Sequence, residues 1–100
     1  MKYEKLDPAA IAEGMRGLPD WSISAEGDSI TRSFVFTDFG EAFAFMTRSA
    51  FAAERLDHHP EWSNVYRLVD VTLTTHTAKG LTELDFKLAA TMDRAAGHHD

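Results

Sequence analysis

The sequence predicts one α+β domain, residues 1–100, in which three helices cover one face of a four-stranded antiparallel sheet in the order α-β-β-α-β-β-α. A length of 100 residues, 44% of them hydrophobic, suits one core and is too short for two. Three helix-start signals occur, and two pairs of segments with alternating apolar residues lie between them. Hairpins separated by helices are typical of an antiparallel sheet with helices packed on one face.

The first helix is predicted over Pro8–Arg16. Asp7 is suited to cap its start, and Pro8 takes the first helical position, where a missing N–H removes no hydrogen bond of the helix. Gly17 and Pro19 then end the helix, because both residues disfavour its continuation. The segment therefore has a local signal at each end.

A hairpin of two strands is predicted after this helix. In its first strand Trp21, Ile23 and Ala25 alternate with polar residues, as in a half-buried strand. In its second strand large side chains recur at every other position, namely Ile30, Arg32, Phe34 and Phe36. The turn between the strands is placed at residues 26–28, which include a glycine.

The second helix is predicted to begin at Asp38, whose spacing to Glu41 fits a capping box. It is expected to end near Leu56 or Asp57, because Pro60 disfavours helical geometry in the residue before it. Apolar residues at three- and four-residue intervals predict the face that packs on the core: Phe39, Phe43, Met46, Ala50 and Ala53.

The last two strands are predicted over residues 65–68 and 69–75, which are rich in β-branched and aromatic residues. No glycine or proline marks the turn between them. Gly80 then breaks the chain, and Thr82 is suited to cap a third helix that runs to about residue 96. Asp85 takes the third position of this helix, where a carboxylate favours the positive helix end.

Composition and charge exclude several classes of protein. The chain has no cysteine, so it can form neither a disulfide framework nor a thiolate metal site. A formal net charge of −6 and the lack of a basic run disfavour binding to nucleic acid. No apolar stretch in the sequence reaches the length of a membrane span or a signal peptide, which predicts a cytoplasmic protein without membrane contact.

Histidine is the residue type that carries the candidate chemistry. Two of the five histidines, His98 and His99, fall in the last three residues and are interpreted as a solvated tail. His58 and His59 leave the second helix and His76 lies where the fourth strand ends, so the predicted topology can bring them together. Because histidine exchanges protons near neutral pH, a cluster of three suits acid–base chemistry.

Carboxylates and an indole lie close to these histidines in the sequence. Glu54 precedes His58 by four residues and shares its helical face if the helix persists, while Asp57, Trp62 and Asp85 complete the neighbourhood. Taken singly, each has an ordinary structural role as a solvated charge, a core residue or a helix-start residue. A metal site is disfavoured, because adjacent histidines project in different directions and no HExxH motif occurs. We therefore predict no metal and no cofactor.

Together these residues form the pattern Glu54-x3-His58-His59-Pro60-x5-Tyr66-x9-His76-x8-Asp85, which resembles the signature of the pterin-4a-carbinolamine dehydratase family at every fixed position. Two longer stretches, residues 43–48 and 56–66, are also similar to family sequences. The resemblance implies the same sheet and helices, assembled as a homodimer or a homotetramer. One departure is Thr77, since some members of the family carry an acidic residue after the matching histidine.

The resemblance also implies an activity and a site. Such enzymes are carbon–oxygen hydro-lyases that convert 4a-hydroxytetrahydropterin to quinonoid dihydropterin and water by histidine acid–base catalysis, in tetrahydrobiopterin recycling. The implied catalytic residues are His58, His59 and His76, and their implied supporting carboxylates are Glu54, Asp57 and Asp85. The residues implied to contact the pterin are Asp57, His58, His59, Trp62, Thr74, Thr75, His76 and Thr77.

Two other functions stay open on the sequence. Animal relatives of the family also act as dimerisation partners of a transcription factor, so a protein-binding module is one alternative. A family member redirected to another pterin, such as a molybdenum-cofactor precursor, or to a chaperone-like assembly role is the other. Fold membership alone does not decide between these functions. An exposed apolar helix face would favour the protein-binding alternative.

Overall fold

The computed structural model describes residues 3–97 and contains the predicted order of elements. The helices are α1 Pro8–Arg16, α2 Phe39–Leu56 and α3 Glu83–Ala96, and the strands are β1 Ser22–Ile23, β2 Ile30–Val35, β3 Glu61–Val65 and β4 Leu68–Leu73. None of the helices described is both long and apolar enough to cross a membrane. His98 and His99 lie outside the described residues, so their interpretation as a tail stays a prediction.

The four strands form an antiparallel sheet in the order β1-β2-β4-β3. In the register of the two central strands, Phe34 of β2 lies opposite Val69 of β4. Along β4 the side chains of Val69, Val71 and Leu73 are buried, whereas Asp70 between them is exposed. Because successive side chains of a strand point to opposite faces, this alternation places the core and the helices on one face of the sheet. The predicted fold class is confirmed.

The three predicted helix starts are confirmed, each by a side chain that accepts a hydrogen bond from a backbone N–H in the first turn. Asp7 Oδ1 caps α1 at 2.8 Å, and Asp38 Oδ1 accepts from the Glu41 N–H, also at 2.8 Å. At α3, Thr82 Oγ1 accepts from the Leu84 N–H at 3.3 Å, and Asp85 Oδ2 accepts from the Thr82 N–H at 2.9 Å as part of a capping box. These local bonds fix where each helix enters the fold.

The predicted core face of α2 is correct for two of its five residues and wrong for the other three. Ala53 is buried and Met46 packs against the core. Phe39 and Phe43 are 49% and 56% exposed, and Ala50 is exposed as well. The buried face consists mainly of small residues, namely Ala42, Phe45, Ser49, Ala52 and Ala53. α2 carries apolar residues on two faces, and the face with the smaller side chains allows the closer approach to α3. Periodicity in the sequence does not separate the two faces.

The predicted boundary between the last two strands is also wrong. β3 covers Glu61–Val65, and the turn to β4 lies at Tyr66 and Arg67, earlier in the chain than predicted. Tyr66 adopts a left-handed backbone with φ of 54°. The Asn64 side chain donates hydrogen bonds to the carbonyls of Tyr66 and Leu68, both at 3.0 Å. This amide stabilises a turn that has no glycine or proline.

β1 is shorter than the predicted strand. Trp21 is buried, and its indole Nε1–H donates to Asp93 Oδ1 of α3 at 2.8 Å. Ile23 is 43% exposed and Ala25 is exposed, although the alternation predicted both on the buried side. The core contact of this edge of the sheet therefore rests on Trp21, which α3 holds by a polar bond.

Replacing Ser49 by alanine is expected to raise the free energy of unfolding by about 1 kcal/mol. The Ser49 hydroxyl is fully buried on α2 and has no hydrogen-bond partner among residues 3–97, so alanine removes an unsatisfied polar group. Urea unfolding followed by circular dichroism measures the change. Thr47→Ala on the same helix is the control, because the exposed Thr47 hydroxyl donates to Phe43 O at 2.9 Å. A lower urea midpoint for Ser49→Ala than for wild type would contradict the expectation.

Candidate functional site

A cavity of about 520 Å³ lies where the end of α2, the end of β4 and the N-terminal segment meet. Its lining residues are Tyr3, Asp57, His58, His59, Thr74, Thr75, His76 and Thr77. The three histidines predicted to converge therefore share one cavity, which is called the histidine cavity below. Its volume lies within the range of about 300–1,000 Å³ that is typical of small-molecule sites.

A larger cavity, of about 660 Å³, has no comparable set of reactive side chains. Its lining includes Arg32, Phe36, Glu41 and Arg67, and none of its described lining residues is a histidine. The Arg32 guanidinium is already paired with Asp93 at 2.6 Å. The candidate chemistry therefore belongs to the histidine cavity.

A left-handed residue at the end of α2 places His58 and His59 at this cavity. Asp57 has φ of 53° and ψ of 44°, a conformation that aspartate tolerates better than most residues with a side chain. The N–H groups of Asp57 and His58 both donate to carbonyls of the last helical turn, and the bond from His58 to Ala53 O is 3.1 Å. The helix end is thus satisfied while the chain turns sharply.

A short 3₁₀ turn after β4, His76–Ala78, brings the third histidine to the cavity. The flanking residues Thr75 and Gly80 bond to each other: the Thr75 N–H donates to Gly80 O at 3.0 Å and the Gly80 N–H donates to Thr75 O at 3.4 Å. Lys79 closes the turn in a left-handed conformation with φ of 57°. This bridged loop sets His76 close to the threonines at the end of β4.

The N-terminal segment forms the remaining wall. The Leu6 N–H donates to Leu81 O at 2.8 Å, which fixes the segment beside the loop after β4. A β-carbon on Gly80 would lie 2.7 Å from Lys5 Cε, so the Lys5 side chain packs closely over this glycine. Tyr3 then lines the cavity. Sequence reasoning missed Tyr3, because its position depends on these tertiary contacts and no motif marks it.

The His58 imidazole is held by a buried polar network. His58 Nε2 lies 2.5 Å from Oδ1 of Asp85, whose side chain has 0% exposure. The other oxygen, Oδ2, accepts from Thr75 Oγ1 at 2.8 Å and from the Thr82 N–H at 2.9 Å. The two threonine hydroxyls are 2.9 Å apart. One carboxylate therefore caps α3 and orients the imidazole, leaving Nδ1 of His58 without a hydrogen-bond partner among residues 3–97.

The other two histidines each have a carboxylate of their own at the surface. His59 Nε2 lies 2.8 Å from Glu54 Oε1, and His76 Nε2 lies 2.6 Å from Glu61 Oε2. The family resemblance implied Glu54 as a supporting residue, and its helical spacing placed it on the face of His58. In the structure it contacts His59, because α2 ends at Leu56 and His58 turns to Asp85. Glu61 was not predicted, because the predicted strand boundaries place it outside the strands, whereas it is the first residue of β3. A correct prediction of where β3 starts would have placed Glu61 in a strand beside β4 and close to His76.

Trp62 differs in position from the other predicted pterin contacts. The remaining seven all line the histidine cavity, whereas Trp62 packs against the hydrophobic core and is not among the described lining residues. Trp62 follows the exposed Glu61 on β3, so its side chain points to the opposite face of the sheet. A contact between its ring and a substrate stays a prediction.

The site contains three separate imidazole–carboxylate pairs. Within residues 3–97, no three histidine, aspartate or glutamate side chains converge as a group that could hold a metal ion. Each pair engages Nε2, and a carboxylate on one ring nitrogen orients the ring so that the other can donate or accept a proton. The arrangement can therefore exchange protons with a ligand at three positions.

Comparison with known proteins gives a consistent family assignment for the sequence. The family model described as Pterin 4 alpha carbinolamine dehydratase matches residues 4–95. A relative in Sinorhizobium medicae, named as a proposed pterin-4-alpha-carbinolamine dehydratase, is 64% identical over 96 residues, which are 96% of this chain and 91% of that protein. A relative in Rhizobium meliloti with the same name is 62% identical over 96 residues, covering 96% of this chain and 92% of that protein.

Two solved structures share the fold. The crystal structure of a transcriptional coactivator/pterin dehydratase from Brucella melitensis has a TM-score of 0.90 and 49% identity. The match covers 94% of this chain and 100% of that one. A pterin dehydratase-like protein described as a RuBisCO assembly factor in the alpha-carboxysome has a TM-score of 0.69 and 25% identity, covering 80% of this chain and 93% of that one. The names of these two proteins refer to transcriptional coactivation, pterin dehydration and RuBisCO assembly.

Proposed function

The chain belongs to the pterin-4-alpha-carbinolamine dehydratase family, and from that premise we propose that it removes water from a 4a-hydroxytetrahydropterin to give quinonoid dihydropterin. The observation that carries the proposal is the meeting of His58, His59 and His76 in one cavity, each with its own carboxylate. The described lining residues of four further cavities include no histidine.

The proposed reaction needs one proton donor and one proton acceptor. In the substrate, a ring carbon carries a hydroxyl beside a ring nitrogen. The acid protonates the hydroxyl oxygen, the carbon–oxygen bond breaks, and water leaves. A nitrogen lone pair forms the new carbon–nitrogen double bond, and the base takes the ring N–H proton. One proton enters and one leaves, so no oxidant or reductant is consumed.

In this proposal His58 and His76 act as the acid and the base, and His59 binds and polarises the pterin. They come from different segments, the end of α2 and the loop after β4, so they can reach a flat ligand from two sides. Asp57, Thr74, Thr75 and Thr77 also line the cavity and offer polar contacts to the pterin heteroatoms, and Trp62 is retained as a predicted contact. Glu54, Asp57 and Asp85 are the proposed supporting carboxylates.

The wider role we propose is recycling of tetrahydrobiopterin by a cytoplasmic homodimer or homotetramer that needs no metal and no cofactor. Two features support assembly with copies of the same chain. β3 lies at an edge of the sheet, where its outer backbone groups are unpaired with another described strand. In addition, Phe39, Phe43 and Phe51 of α2 are 49%, 56% and 64% exposed.

A protein-binding role is the second candidate, and the same exposed phenylalanines on α2 favour it. The names of the Brucella melitensis structure and of the RuBisCO assembly factor also refer to roles beyond dehydration in those proteins. That surface lies on α2 and does not include the residues of the histidine cavity. The two candidate functions can therefore be tested separately.

The test of the proposed dehydration is stopped-flow absorbance of freshly generated 4a-hydroxytetrahydropterin as it decays to quinonoid dihydropterin. We expect wild-type protein to accelerate the decay over buffer, in proportion to protein concentration and equally with and without a chelator. Decay at the buffer rate would overturn the proposed activity and favour the protein-binding candidate. Loss of acceleration with chelator would contradict the proposed metal-free acid–base chemistry.

A further inference from the structure

We propose that Glu61 is the positioning residue of His76, an inference that rests on the proposed dehydration. Glu61 Oε2 and His76 Nε2 are 2.6 Å apart, a distance for a charge-assisted hydrogen bond. This is the only hydrogen bond that the described part of the chain gives to the His76 side chain. Orientation of that ring therefore depends on Glu61.

The antiparallel pairing of β3 with β4 explains why Glu61 is in place. Glu61 begins β3 and lies opposite Thr72, four residues before His76. The strands thus carry the carboxylate to the base of the loop that holds the histidine. Both side chains are largely exposed, 55% for Glu61 and 79% for His76. Because exposed ion pairs contribute little to the free energy of unfolding, we assign the pair a role in orienting the His76 ring.

Glu61 also provides the carboxylate that the residue after His76 lacks. Thr77 stands next to His76, where some relatives carry an acidic residue, so the neighbour in the chain supplies no charge. Glu61 supplies the carboxylate across the sheet instead. The same arrangement at Nε2 holds for His58 with Asp85 and for His59 with Glu54.

The chemical consequence is a choice of ring nitrogen. A carboxylate accepts a hydrogen bond from Nε2–H and so favours the tautomer that carries its proton there. The other nitrogen, Nδ1, is then the one that exchanges a proton with the pterin. The titratable groups around His76 are Glu61 on β3, Asp57, His58 and His59 at the end of α2, and Lys79 in its own turn.

The test compares four proteins: wild type, Glu61→Gln, His76→Ala and the double variant. We expect Glu61→Gln to lower kcat/KM about two- to fivefold, the size expected for an exposed ion pair, and to have no further effect in the His76→Ala background. Glu13→Gln is the matched control, because it removes one surface charge on α1 far along the chain from the site. The ¹⁵N spectrum of the His76 ring should show less Nε2–H tautomer in Glu61→Gln.

Each outcome has one meaning. An unchanged kcat/KM and tautomer ratio in Glu61→Gln would overturn the positioning role while leaving the dehydration intact. An equal loss with and without His76 would also overturn it, because Glu61 would then act independently of that histidine. An inactive wild type would overturn the proposed function itself, and the catalytic meaning of Glu61 with it.

Discussion

The double replacement His58→Ala/His76→Ala is expected to abolish the acceleration of dehydration. Each histidine is proposed to move one proton in the step that expels water, and one general acid or base contributes about 10²–10⁴-fold. Each single variant is therefore expected to lose at least about 10²-fold in kcat. Single-turnover stopped-flow absorbance on the 4a-hydroxytetrahydropterin measures both losses directly.

The two histidines differ in what else their removal disturbs. The His76 side chain is 79% exposed, so His76→Ala is expected to unfold at the same urea concentration as wild type, and its activity loss reports chemistry alone. His58 belongs to the buried network, and its variant must be assayed where circular dichroism shows native structure. Full dehydration rates in both single variants would show that the acid and the base are other groups.

Replacing Asp85 by alanine is expected to lower the free energy of unfolding by about 3–5 kcal/mol. The carboxylate is fully buried and bonds to His58, to the Thr75 hydroxyl and to the Thr82 N–H, so its loss leaves three buried polar groups without this partner. Activity is expected to fall as well, since the His58 ring loses the bond that orients it. Urea unfolding gives the first quantity and stopped-flow absorbance the second.

The control for Asp85→Ala is Glu83→Ala. Glu83 is an acidic residue in the same first turn of α3, but it is exposed, so its removal is expected to change the free energy of unfolding by about 0.5 kcal/mol or less. Similar losses in the two variants would mean that charge near the helix end, and not the buried network, accounts for the effect of Asp85.

Helix starts and the histidine cluster were predictable because their signals are local or follow from element order. Asp7, Asp38 and Thr82 cap helices through side-chain bonds within one turn, and such spacings are visible in the sequence. The order of elements put the end of α2 and the end of β4 at one edge of the fold, which brought His58 and His76 together. Their roles in catalysis stay predictions.

What the sequence did not predict depends on contacts between distant segments. The exposed Phe43 and the buried Phe45 both lie in apolar patterns of α2, and only the packing of α3 decides which is inside. The turn at Tyr66 relies on the Asn64 side chain instead of a glycine. Strand pairing brings Glu61 to His76, and the docked N-terminal segment brings Tyr3 to the cavity. Neither placement has a sequence motif.

Asp85 links the proposed acid–base chemistry of His58 to the first turn of α3, because its carboxylate contacts both. The same carboxylate accepts a hydrogen bond from the N–H of Thr82, the N-cap residue of α3, and contacts the His58 imidazole, so fraying of that turn releases the imidazole. Local opening at a helix terminus requires less free energy than global unfolding. Activity would thus fade in step with the start of α3, before the central strands β2 and β4 separate.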